Sequence, residues 1–97
     1  MAFIQIIEAH AANIDRLREL EGEWQAATEG KRTTRRSIVT QDRNDPGRYL
    51  IIVFFDSHES AMENSQLPET QQFAEKWVGA VDSMTFHDLD VLDDLDL

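Results

Sequence analysis

The chain contains no cysteine, which removes a disulfide framework, a thiol nucleophile and a thiolate metal site together. Glycine is scarce, at four residues, and none falls in the clustered spacing of a phosphate-cradling loop. The longest apolar run, Leu50 to Phe55, is far short of the roughly 20 residues a membrane span needs. Positive charge is also in short supply. Nine Lys and Arg against nineteen Asp and Glu give a net charge of -10, which argues against a nucleic-acid partner, because that affinity comes from neutralising phosphates. No basic segment precedes an apolar stretch near the N-terminus, so the reading is a soluble, cytoplasmic chain with neither membrane nor nucleic acid as partner.

What is present is one pattern written twice. An apolar strand (Ala2 to Ala9), a helix (Ile14 to Glu29) and a polar strand (Arg32 to Gln41) are followed, after the turn Asn44-Asp45-Pro46-Gly47, by an apolar strand (Tyr49 to Phe55), a helix (Pro68 to Val81) and a polar strand (Met84 to Leu92). In the first helix Ile14, Leu17, Leu20, Trp24 and Ala27 form one stripe, with Asn13 as the expected N-cap and Gly30 as terminator. Pro68 suits a first helical position, and Phe73, Ala74, Trp77, Val78 and Val81 form the second stripe. A short helix is expected from Ser57, as cap, to about Asn64.

Six elements in this order predict an α+β, ferredoxin-like βαββαβ sandwich over residues 1–97, a single domain with an acidic tail at 93–97. Its antiparallel sheet should be ordered 4-1-3-2 with both long helices on one face. Phe3-Ile4-Gln5-Ile6-Ile7 and Leu50 to Phe55 are apolar on both faces, however, so both faces need cover. The helices cover one. A second copy packed sheet to sheet covers the other, which predicts a homodimer closing into a dimeric α/β barrel.

Charge is segregated along the chain. Six of the nine basic residues lie between Lys31 and Arg48, whereas the segment after Val81 carries Asp82, Asp88, Asp90, Asp93, Asp94 and Asp96 and no Lys or Arg. The second and fourth strands are the two edges of the predicted sheet. Arg32, Arg35 and Arg36 on one edge and Asp88 and Asp90 on the other are therefore expected to meet between subunits.

Several blocks carry a family resemblance: Asp45-Pro46-Gly47-Arg48-Tyr49-Leu50, the run from Phe54 through Ala61-Met62-Glu63-Asn64-Ser65, Pro68-Glu69-Thr70, and Phe86-His87-Asp88-Leu89-Asp90-Val91. Over nearly its whole length the chain resembles the dimeric α/β-barrel proteins of the antibiotic biosynthesis monooxygenase-like superfamily, and within them a bacterial branch of unassigned activity. The resemblance implies a homodimer with a pocket between helices and sheet in each subunit. In some members it implies cofactor-independent oxygenation of aromatic compounds or haem degradation. The wider superfamily often carries a Trp just after the third strand and a His in the following helix. Here those stretches read Phe54-Phe55-Asp56-Ser57 and Glu63-Asn64-Ser65, and the Asn, Trp and His set of the haem-degrading branch is not matched position by position.

The residues themselves give a short list of candidates. No pair among His10, His58 and His87 has the i, i+4 spacing of a helical zinc site, and no metal or cofactor is expected. His87, within the fourth strand, is expected to meet Asn64, Trp77 and Gln5 beside the pocket if it points toward the helices; the competing reading faces it to solvent or to the second copy. Trp24, Trp77 and Phe73 lie on apolar stripes, where core packing competes with a role in fixing a flat ligand. Glu19, Glu21 and Glu23 read as a solvated helix face. Three functions stay open: a pocket protein that binds, and in the enzyme reading oxygenates, an apolar or aromatic compound; a dimeric binding or regulatory module without chemistry of its own; and haem handling. A pocket lined by Trp77, Phe73 and a convergent polar pair favours the first, a filled core the second.

Overall fold

The structure, a computed structural model, describes residues 2–97. Its elements run β1 (Phe3–His10), α1 (Asp15–Ala27), β2 (Arg36–Gln41), β3 (Arg48–Phe55), α2 (His58–Gln66), α3 (Pro68–Ala80) and β4 (Ser83–Asp90). The four strands form one antiparallel sheet in the order β2-β3-β1-β4. This is the predicted 4-1-3-2 sheet of a ferredoxin-like fold, read from the other edge.

Strand parity decides what each face presents. Phe3, Ile7 and Ala9 of β1 and Tyr49, Ile51 and Phe55 of β3 are buried beneath the helices. There they meet Leu17 and Leu20 of α1 and Trp77 of α3 in the main core, while Phe3, Phe55 and Ala61 of α2 form a smaller cluster. The alternate residues Ile4, Ile6, Ile52 and Phe54 lie on the opposite face, half-buried, with Ile38 beside them. Among the described residues no helix covers that face, which leaves the outward apolar residues of the central strands without cover inside one chain.

Two local details shift the predicted boundaries. Asn13 does not cap α1: its Oδ1 accepts the Asp15 N–H, and the cap position falls at Ile14. β2 starts at Arg36 rather than Arg32. Thr33 is held off the sheet, since its Oγ1 donates to the Ser60 carbonyl and its N–H to Asn64 Oδ1. Gly30 adopts φ +80, the left-handed conformation that lets the chain leave α1. Ser57 does cap α2, through a reciprocal pair of bonds with Ser60.

Candidate functional site

Between the helices and the sheet lies a cavity of about 290 Å³. Its floor is the helix-facing side of β1 and β3, with Gln5, Ile7, Ile51 and Val53; its wall is the aromatic ladder of α1 and α3. Trp24, Phe73 and Trp77 pack in sequence as tilted rings, with centroids 6.0 Å and 5.2 Å apart. The i, i+4 spacing of Phe73 and Trp77 produces the second of these contacts. The Trp24 indole is fixed by donating to Thr70 Oγ1 at 2.9 Å, and Lys31 donates to Glu69 at 3.1 Å, so Thr70 and Glu69 tie the start of α3 to α1 and the residues after it. Lys31 beside it holds the Glu69 carboxyl below the usual carboxylate range.

The polar part of the lining is small. Asn64, 7% exposed, accepts the Thr33 N–H at 3.4 Å. Trp77 is 3% exposed, and its Nε1 is buried with no hydrogen-bond partner among the described residues; the same holds for Thr34 Oγ1. Buried donors without partners are uncommon, and each costs roughly 1 to 3 kcal/mol until something satisfies it. Gln5 interrupts the apolar helix-facing series of β1 and donates to Asp88 on the paired position of β4 at 3.1 Å.

Four of the five residues expected at one pocket, Gln5, Asn64, Phe73 and Trp77, thus line one cavity. His87 does not. It pairs with Ile6 and lies on the open face of the sheet, its Nε2 3.6 Å from Glu8 Oε1. The expectation that it borders the cavity is corrected by parity: Met84 and Phe86 face the helices and line the cavity, so the residue between Phe86 and Asp88 must point away. His58 packs its ring edge against Phe3, with centroids 5.1 Å apart, and His10 sits 3.3 Å from Glu8.

On that open face Glu8 gathers Arg48 at 3.2 Å and 3.3 Å together with the two histidines, and Arg48 also reaches Asp42 at 2.9 Å. Arg48 first, then His10, lowers the Glu8 pKa; Asp42 is lowered by the Asn44 backbone N–H and then by Arg48. The basic edge residues are engaged within the chain. Arg35 donates to Asp56, Arg32 donates to the Gln25 carbonyl and lies over Trp24, and Arg36 lies over Phe54. Asp88 holds Gln5, and Asp90 is the β4 partner of Phe3.

Reasoning from the sequence missed Glu21. It was placed with the solvated face, yet it is half-buried, lines the cavity, and accepts the Ser37 hydroxyl at 2.9 Å. The signal was its position four residues after Leu17 and three before Trp24, on the flank of the stripe. Of the residues lining the cavity, Glu21 alone carries an ionising group. Among the described residues no cluster of three or more His, Asp and Glu is arranged to hold a metal, and no helix is long and apolar enough to cross a membrane.

No protein-family model matches the chain, and no curated protein matches it. Solved structures do. A candidate antibiotic biosynthesis monooxygenase from Deinococcus radiodurans superposes with a TM-score of 0.76 at 18% identity, covering 100% of this chain and 98% of that one. Rv0793 from Mycobacterium tuberculosis gives 0.78 at 14%, over 99% and 100% of the two chains. A variant of SnoaB, a cofactor-independent oxygenase from Streptomyces nogalater, gives 0.78 at 10%, over 97% and 95%. Full-length superposition at such low identity establishes the fold. The chain has the ferredoxin-like fold of antibiotic biosynthesis monooxygenase-like proteins.

Proposed function

We propose that this protein binds a flat, largely apolar small molecule in the cavity between helices and sheet, as a homodimeric pocket protein of the antibiotic biosynthesis monooxygenase type. The observation that carries the reading is the cavity itself. An aromatic ladder of Trp24, Phe73 and Trp77 beside Ile51 and Val53 offers flat apolar surface, and the buried Trp77 N–H lacks an acceptor. Ligand sites combine an apolar lining with a few placed polar groups in this way. A carbonyl or ring oxygen on the ligand would satisfy the indole and recover its desolvation cost. A filled core would have favoured a module without a ligand.

Oxygenation without a cofactor is the chemistry suggested by the name of one fold relative. It requires a substrate that can itself supply electrons, such as a phenol or enol. In this site Trp77 and Asn64 would hold the oxygen of such a group, and the aromatic ladder would orient its ring and exclude water. The test is titration of the purified protein with 2-naphthol, followed by quenching of Trp24 and Trp77 fluorescence. Saturable binding that is weakened in Trp77→Phe supports the reading; no saturable quenching overturns it. Oxygen uptake on addition of the same protein to a hydroxylated aromatic separates an oxygenase from a binding module.

A further inference from the structure

The cavity contains one charge, and the fold has placed it deliberately at a wall. Glu21 projects from α1 on the flank of the Leu17, Leu20 and Trp24 stripe, and it is half-buried where its neighbours Glu19 and Glu23 are exposed. Ser37 stands opposite on β2, paired with Val53, and so on the helix-facing side of the sheet. Its hydroxyl donates to Glu21 Oε1 at 2.9 Å, and both residues line the cavity. The ion pairs of the described residues all lie elsewhere. Arg16 holds Glu19, Lys31 holds Glu69, Arg35 holds Asp56, and Arg48 holds Glu8 and Asp42. Among the described residues Glu21 has no cation, and no hydrogen bond reaches its Oε2.

A half-buried carboxylate beside apolar surface, with one oxygen fixed and one oxygen free, is an acceptor waiting for a donor. Trp77, in the α3 wall, is the reverse: a donor without an acceptor. We infer that Glu21, oriented by Ser37, accepts a hydrogen bond from a hydroxyl of the bound molecule, so that the cavity selects hydroxylated aromatics over equally shaped ones without a hydroxyl. The inference rests on the pocket reading above and sharpens its substrate class. A site built to bond a hydroxyl rejects the analogue lacking it, because the half-buried carboxylate oxygen that the analogue covers is then left unpaired. The same carboxylate would also favour the ionisable hydroxyl of a phenol as its donor, since charge-assisted bonds are the stronger ones.

The experiment compares 2-naphthol with 2-methylnaphthalene, which share ring and shape, by calorimetry and tryptophan quenching on the intact protein. Wild type should prefer the naphthol roughly tenfold, the worth of a hydrogen bond to a charged group. Glu21→Gln should cut that ratio several-fold through a selective loss of naphthol affinity. An unchanged ratio, or an equal loss for both probes, overturns the inference while leaving the pocket reading in place. Failure of both probes to bind wild type overturns the pocket reading and the inference with it. Should the Gln variant not fold, Ser37→Ala removes the bond that fixes the carboxylate and is expected to narrow the ratio; a ratio equal to wild type again counts against the role.

Discussion

Asn64 joins three parts of the molecule through one small side chain. It lies in the last turn of α2, lines the cavity, and accepts the Thr33 N–H that holds the chain away from β2. Asn64→Ala would strand that N–H in a half-buried setting and should cost about 1 kcal/mol, read as a lower urea midpoint with an unchanged slope. Glu8 makes a second prediction at this scale. Its folded pKa is depressed, by Arg48 first and then His10, so its contribution to stability is complete above the unfolded carboxylate value and is lost as pH falls through the folded one. Wild type should therefore lose stability as pH falls below the ordinary glutamate range, and Glu8→Gln should lose less on the same descent; parallel acid limbs in denaturant titrations would contradict this. At this scale the sequence was only partly legible. Trp77 and Phe73 were legible because stripe positions are visible in the pattern, whereas Asn64 was indicated by the family resemblance alone. His87 was misplaced, although Met84 and Phe86 already marked the inward parity of β4, and Glu21 was hidden because a stripe's flank looks polar until the facing strand is known.

At the scale of elements, α2 depends on its start. It spans nine residues, too few to be stable alone, and Ser57 and Ser60 satisfy each other's backbone N–H at its first turn. The Ser60 carbonyl is also the acceptor for Thr33 Oγ1, so a frayed first turn would loosen the segment that walls the cavity beside β2. Ser57→Ala should lower stability by about 1 kcal/mol. Faster amide exchange confined to α2 and residues 33–35 would show that the effect spreads along this connection; exchange changes limited to the first turn would show that it does not. The elements themselves were legible from apolar periodicity, and their ends shifted by the amounts local bonding dictates. Asn13 spends its oxygen on the Asp15 N–H, which moves the α1 cap by one residue, and the Thr33 anchors shorten β2.

At the scale of the molecule, the open face of the sheet is graded along its strands. One end presents Ile4, Phe54 and Leu89, the middle Ile6, Ile52 and Ile38, and the far end Glu8, Arg48 and His10. Leu89 is 44% exposed and Phe54 half-buried in a single chain. Apolar surface over the middle and one end, bounded by Arg36 and His87 on the edge strands and by Glu8, Arg48 and His10 at the far end, has the apolar core and polar margin of an interface, which supports the homodimer expected from the doubly apolar strands. Ile52 and Phe54 both point outward, so either is a probe of that face. Ile52→Asp would place an unpaired carboxylate at the centre of the sheet-to-sheet contact, where burial without a partner is costly. Sedimentation at micromolar concentration should find dimer for wild type and monomer for Ile52→Asp; a wild-type monomer would remove the sheet-to-sheet assembly, and an undissociated variant would move the contact elsewhere. The charged edges are the weaker part of this expectation, because Arg35 already holds Asp56 and Asp88 already holds Gln5 within one chain. Exposed pairs contribute only about 0.2 to 1 kcal/mol each. Replacing Arg36, which forms no ion pair among the described residues and lies over Phe54 on the open face, by Glu should therefore weaken the dimer only a few-fold, and more at low salt than at high. Equal weakening at both salt concentrations would identify the arginine's contact with Phe54, rather than its charge, as what matters at that edge.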